Sequence, residues 1–324
     1  MITLLNGIQL PEEFIDQIRR GFQQKGERWL KELPVLTERC VQKWQLTQVH
    51  LSDELSYNLV LFARHPEQGE VVLKIGVPHL DLFSEMRAIR LFEGHGLCRC
   101  FSLDEALGAM LLERILPGEN LWTMNDAEER YRITADLYRQ VLVHPLADHG
   151  LPLFGELIAT AIERSADVPE TPPFLVDWLR EVQSDYAQLE AESGEPVVLH
   201  CDLHHGNILR DQHAYEANLG WRVSPGWRVI DPKGFVGVRP VECARFIENE
   251  LDLFERDDAK LAALDRMLAV FSPALGFPER TLAQALAIDN VLNTYWSVES
   301  HSSQVWIDSG YRQHALFAKY LESA

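Results

Sequence analysis

Long apolar runs are missing from this 324-residue chain, and none approaches the ~18–20 residues that a membrane span needs. The first eleven residues lack a basic stretch and a cleavage pattern, so no secretory signal is expected. Cysteine is sparse and odd in number: five, with Cys98 and Cys100 as the one close pair. That argues against a disulfide framework and suits a reducing cytoplasm. Basic residues are also scarce, with 30 Lys+Arg against 49 Asp+Glu, a formal net charge of −19. Such a surface repels nucleic acid and anionic membranes, so neither is expected as a partner. Internal repeats and low-complexity stretches are absent. What is present is ample core material: 46% of residues are hydrophobic and the mean hydropathy is −0.14. The length suits two domains or one bilobed unit.

The charge is uneven. Residues 1–120 hold 13 Lys+Arg and 17 Asp+Glu, whereas residues 121–324 hold 17 and 32, giving −4 and −15. Either the second part carries a solvated acidic surface, or it attracts a cationic ligand.

Hydrophobic periodicity predicts a helix over Pro11–Leu33, then strands at Lys43–Leu51, Asn58–Ala63 and Glu70–Ile75. The last two flank a His65–Gly69 hairpin turn. A helix over Asp81–Glu93 stops at Gly94 and Gly96, and short strands follow near Cys98–Leu103 and Ala109–Glu113. Pro117-Gly118 breaks the chain. Beyond it the pattern is mainly helical: 125–143, 153–164, 173–192, 241–255, 257–271, 281–298 and 311–321. A β island at Val197–His200, Ile208–Leu209 and Trp227–Ile230 interrupts it.

That island carries the chemistry. An apolar strand opens into His200-Cys201-Asp202-Leu203-His204-His205-Gly206-Asn207, and a later one ends in Ile230-Asp231-Pro232-Lys233-Gly234. Asp202 and Asn207 are five apart, the spacing of a kinase catalytic loop, and Asp231 stands where a kinase places its main metal-binding acid. Phosphoryl transfer gathers negative charge on phosphate oxygens. It therefore needs hard oxygen ligands for Mg²⁺ and a separate carboxylate to accept the attacking hydroxyl's proton. Asp and Asn also suit plain turns, and Asp-Pro is a common turn pair. The clustered His and Cys residues lack the distant second half of a zinc motif, and His200 reads as a loop-organising residue.

The His-x-Asp-Leu-His-x-Gly-Asn-Ile-Leu string resembles that of the aminoglycoside phosphotransferases. Ile230–Gly234 resembles their streptomycin 6-kinase branch, the aminoglycoside/hydroxyurea antibiotic resistance kinases. Leu55–Val60, Val71–Gly76 and Leu111–Gly118 resemble that family's first hairpin, lysine strand and hinge. The resemblance spans about residues 40–300. It implies an α+β, bilobed protein-kinase-like fold. An N-terminal nucleotide-binding lobe with a leading helix would cover 1–112, a hinge 113–119, and a mainly helical catalytic and substrate lobe 120–324. It implies Asp202 as base, Asn207 and Asp231 as Mg²⁺ ligands, Lys74 on the α/β-phosphates and Glu85 as its ion-pair partner. Glu113 and Ile115 would offer hinge backbone to the base of ATP, with GTP left open. The phosphate-covering loop, about Leu51–Tyr57, holds no glycine, so Ser52, Ser56 and its backbone are expected to act there. Cys201 and His205 stand where the family more often has Gly and Pro.

The expected activity is phosphorylation of a hydroxyl on a cationic small molecule, streptomycin-like by resemblance. The rivals are a metabolic kinase of an amino alcohol or sugar and a nucleotide-binding protein without turnover. Acids at Glu242, Glu248, Glu250, Asp252 and Glu255, with Asp289 or Glu299, are expected to include the groups beside the acceptor.

Overall fold

In a computed structural model, residues 2–93, 95–213 and 226–323 are described; Gly94 lies outside them. The chain opens with helix α1 (Glu12–Lys43), broken at Gln23. It extends ten residues past the predicted end, straight through Pro34, because Leu30, Leu33, Thr37 and Cys40 continue one buried stripe. Strands β1 (Thr47–Leu51), β2 (Asn58–His65) and β3 (Gly69–Gly76) follow, then α2 (Leu80–Leu91), β4 (Cys100–Asp104) and β5 (Ala109–Glu113). They form one antiparallel sheet in the order β1-β2-β3-β5-β4. At the β2–β3 turn, Gly69 adopts φ +74°, and His65 Nδ1 accepts the N–H groups of Glu67 and Gln68.

Side chains alternate across a strand. Val71, Leu73 and Ile75 of β3 therefore meet α1 on one face of the sheet. Val72 and Lys74 turn to the other, where α2 packs Leu82, Met86 and Ile89 against Met110 and Leu112.

A strand not foreseen, β6 (Pro117–Asn120), occupies the second half of the expected hinge. Helices α3 (Ala127–Gln140), α4 (Phe154–Ser165) and α5 (Pro173–Glu192) come next. Then β7 (Val197–Leu199), β8 (Ile208–Asp211), β9 (Trp227–Val229) and β10 (Phe235–Gly237) form the β island, β10 also unforeseen. Two small sheets, β10-β7 and β6-β8-β9, hold the island together. Helices α6 (Ala244–Leu251), α7 (Asp257–Leu275), α8 (Glu279–Glu299) and α9 (Gln304–Ser323) close the chain. The acidic 241–255 segment is split, with a 3₁₀ turn over Arg239–Cys243 ahead of the short α6. Among the described residues no single helix is long and apolar enough to cross a membrane.

Candidate active site

The site grows from the alternation in β3. Lys74 points toward α2, where its Nζ lies 2.6 Å from Glu85 Oε1 and 3.1 Å from Asp231 Oδ1. Both Lys74 and Glu85 are buried. Burial alone disfavours the lysine's charge, but Asp231 and then Glu85 outweigh it and hold Lys74 above the usual lysine range. Burial pushes Glu85 up, to about 7, against the pull of Lys74. The three residues come from β3, α2 and the loop after β9, so their meeting depends on a close approach. Gly234 supplies it: a Cβ there would sit 2.5 Å from Ala88 Cβ and 2.8 Å from Ser84 O, both on α2.

The second half of the site is the loop leaving β7. His200 is fully buried and neutral, its pKa driven down to about 4 by burial. Its Nε2–H donates to Ile230 O at 2.9 Å, and its Nδ1 accepts the Asp202 N–H at 3.2 Å, which fixes the tautomer. The Lys233 N–H donates to His200 O, and the Ile230 N–H donates to Asn207 O. These bonds stitch the 200–207 loop to the 230–234 loop, bringing Asp202, Asn207 and Asp231 to one locale. Cys201 (φ +56°) and Asp231 (φ +59°) both hold left-handed backbone, a strained state for non-glycine residues that persists where surrounding contacts over-determine it.

Asp202 faces two cations, Lys233 Nζ at 3.4 Å and Arg245 Nε at 3.6 Å from its Oδ1. Burial works against its charge, yet Lys233 and then Arg245 prevail and hold the carboxyl below its usual range. The side chain is thus held as a carboxylate, a form able to accept a proton. Asn207 donates Nδ2–H to Asp202 O at 2.9 Å, leaving its amide oxygen as the end that can ligate. The Asp231 carboxylate is partly exposed. An amide oxygen and a carboxylate are hard donors, suited to Mg²⁺, which keeps waters and phosphate oxygens as its other ligands. Among the described residues, no group of three or more His, Cys, Asp or Glu could hold a metal ion alone.

Glu113 ends β5 with its carboxylate tied to Arg99 at 3.0 Å. Ile115 is buried with Met110 and Leu112, against which Val72, Leu209 and Ile230 pack half-buried. Ser56 is exposed in the β1–β2 loop. Ser52 instead turns inward, its Oγ accepting the Glu54 N–H. The expected acidic cluster divides. Glu250 binds Arg130, Tyr131 and His205; Asp252 binds Ser309 and Gln313; Glu299 binds Tyr295 and Arg164. Glu242 accepts the His200 N–H at 2.9 Å. Glu255 is exposed beyond the end of α6. Glu248 and Asp289 remain: Asn293 Nδ2 bridges them at 3.0 and 2.7 Å, and Arg245 lies between them and Asp202. Sequence reasoning missed Lys233 and Arg245 as partners of Asp202. Lys233 stood inside a quoted string, but its target lies 31 positions away; Arg245 carried no local signal.

An ion-paired strand lysine, a loop with an ionised Asp and an Asn five apart, and an acid just after β9 define a protein-kinase-like phosphotransferase site. The model of the family described as "Aminoglycoside/hydroxyurea antibiotic resistance kinase" matches residues 43–300, and the chain belongs to that family. It is 26% identical over 301 residues to a streptomycin 6-kinase of Streptomyces glaucescens, covering 91% of this chain and 93% of that one. It is 28% identical over 302 residues to a hydroxyurea phosphotransferase of Kitasatospora aureofaciens, covering 83% and 86%. Its fold matches that of the choline kinase LicA from Streptococcus pneumoniae with TM-score 0.62 at 14% identity, covering 91% of this chain and 100% of that chain. The expected bilobed protein-kinase-like fold and the expected family both hold. The chain is a phosphotransferase acting on a hydroxyl group of a small molecule.

Proposed function

We propose that this protein transfers the γ-phosphoryl group of ATP to a hydroxyl of a cationic small molecule of the aminoglycoside class. The observation that carries the reading is the ionised Asp202, stitched through His200, Ile230 and Asn207 to the Lys74–Glu85–Asp231 corner. The purine lies against Val72, Leu209 and Ile230, with backbone of Glu113–Ile115 at its edge. The sheet region up to residue 112 serves as the nucleotide lobe, 113–119 as the hinge and 120–324 as the catalytic lobe. Lys74 grips the α/β-phosphates, held in place by Glu85, and Ser56 lies on the loop above them. Asn207 and Asp231 would hold Mg²⁺, which when bound neutralises charge on the phosphate oxygens. Asp202 orients the acceptor hydroxyl and takes its proton as the new bond to phosphorus forms. Five unpaired cysteines and a need for ATP suit the cytoplasm. The overall charge speaks against nucleic acid and membranes as partners.

The cationic character of the acceptor rests on a charge imbalance. Among the described residues, three acidic side chains, those of Asp202, Glu248 and Asp289, share two cations, Lys233 and Arg245, and Glu248 Oε1 is buried without a hydrogen-bond partner. An ammonium or guanidinium group offers the missing donor. The test is a coupled ADP-release screen over aminoglycosides, amino alcohols and neutral sugars at two ionic strengths. Turnover of an aminoglycoside, with kcat/KM falling as salt rises, is the expected result. Preference for a neutral sugar, or equal salt response for both kinds, would point to a metabolic kinase instead.

A further inference from the structure

The leading helix α1 precedes the stretch that matches the family, yet it reaches the site. It breaks at Gln23, with φ 48° and ψ −124°, a conformation costly for any residue with a side chain. Buried residues anchor it on both sides of the break: Phe14, Ile15 and Ile18 before it, Trp29, Leu30 and Leu33 after. At the break, Gly21 lies so near Tyr57 that a Cβ would come 3.0 Å from its ring. The half-buried Phe22 meets the Tyr57 ring edge-on at 6.1 Å and the His79 ring at 4.9 Å. Tyr57 closes the glycine-free loop between β1 and β2, next to Asn58, which pairs with Gly76 at the end of the lysine strand. His79 is the N-cap of α2, six residues before Glu85. One side chain therefore touches both the loop over the phosphates and the root of the helix that positions Lys74.

We propose that Phe22 is a positioning residue for nucleotide binding, wedging the β1–β2 loop against the start of α2 so that both stand ready for the phosphates. The proposal rests on the nucleotide-binding reading above. A loop without glycine cannot wrap the phosphates by backbone freedom, so packing against it from outside sets its pose. Keeping a strained residue at 23, where a straight helix would carry Phe22 elsewhere, is the structural sign of that role.

The experiment measures Mg²⁺–ADP affinity by calorimetry, and separate KM values for ATP and acceptor, in the full chain. Phe22→Ala, which loses two ring contacts, should weaken ADP binding and raise the ATP KM by ~10-fold while the acceptor KM stays put. Phe22→Tyr keeps the ring and should restore affinity. Phe22→Leu, the safer variant for folding, should fall between. Trp29→Phe disturbs α1 at its contact with Phe14, away from the loop, and should lower Tm without changing ADP affinity. Unchanged ADP affinity in both Phe22→Ala and Phe22→Leu, or an equal loss in Trp29→Phe, would overturn the proposal. A wild-type protein that fails to bind ADP would overturn the nucleotide-binding reading itself, and the proposal with it.

Discussion

Replacing Gly234 by alanine adds one methyl group where α2 and the backbone of the 230–234 loop touch. The new Cβ would begin 2.5 Å from Ala88 Cβ and 2.8 Å from Ser84 O. Carbon atoms pack at about 3.5–4.0 Å, so α2 must retreat by roughly 1 Å. The backbone there is left-handed, φ +77°, which adds about 1–2 kcal/mol for a residue with a side chain. With overpacking of about 1–3 kcal/mol, the variant should lose about 2–5 kcal/mol of stability. Glu85 lies between Ser84 and Ala88 on that helix and moves with it, loosening the 2.6 Å contact that holds Lys74. A misplacement near 1 Å at a reacting centre can cost about 10²-fold, so kcat/KM for ATP should fall by ~10–10². Urea melts and steady-state kinetics read the two effects. The double variant Ala88→Gly/Gly234→Ala removes the nearer obstacle and should recover part of the kinetic loss. Gly234→Ala with stability within about 0.5 kcal/mol of wild type and an unchanged ATP KM would refute the claim that this close approach assembles the corner.

Three further outcomes are expected. ADP with Mg²⁺ should raise Tm, and ADP with EDTA should do so far less, because Asn207 and Asp231 are the proposed ligands of the ion; equal shifts in thermal melts would contradict that assignment. Asp231→Ala should weaken Mg²⁺–ADP binding by at least the ~10-fold that loss of mere supporting contacts costs at metal sites, as calorimetry would show. Burial first, then Asp289, pushes Glu248 up to about 8 from the usual 4.5, so between those values the fold holds a proton that the unfolded chain has released. This group therefore costs stability increasingly as pH rises through that window. A cationic acceptor that needs the ionised form should bind better as pH climbs through about 8. In Glu248→Gln, both the stability slope from this group and that gain in acceptor KM should vanish.

Local signals explain what was readable in the sequence. β2 and β3 carry apolar alternation around a Pro- and Gly-containing turn, and α5 has Pro173 at its first turn, so these elements stand close to where periodicity places them. The candidate-site loop was legible because Asp202 and Asn207 lie in one short string between strands. The strands β6 and β10 escaped because each is three or four residues long and exists through pairing with β8 and β7, not through its own pattern. The break at Gln23 escaped too, since the contacts beside it, Phe22 with Tyr57 and His79, join elements far apart in sequence. The acidic segment misled in part. Glu250 and Asp252 read as candidates for the acceptor side, but their partners Arg130, His205, Ser309 and Gln313 come from distant elements. The Lys233 and Arg245 contacts with Asp202 are likewise products of tertiary packing.

Asp202→Asn tests the central claim most directly. The substitution keeps the shape of the side chain, and the backbone groups that bind His200 and Asn207 are untouched. It removes the ionised oxygen proposed to take the hydroxyl proton. ADP release should be measured with the best acceptor from the screen, alongside Mg²⁺–ADP affinity by calorimetry. Nucleotide affinity should stay near wild type while turnover falls by at least ~10²-fold, the scale of a lost general base. Near-normal turnover on that acceptor would contradict it.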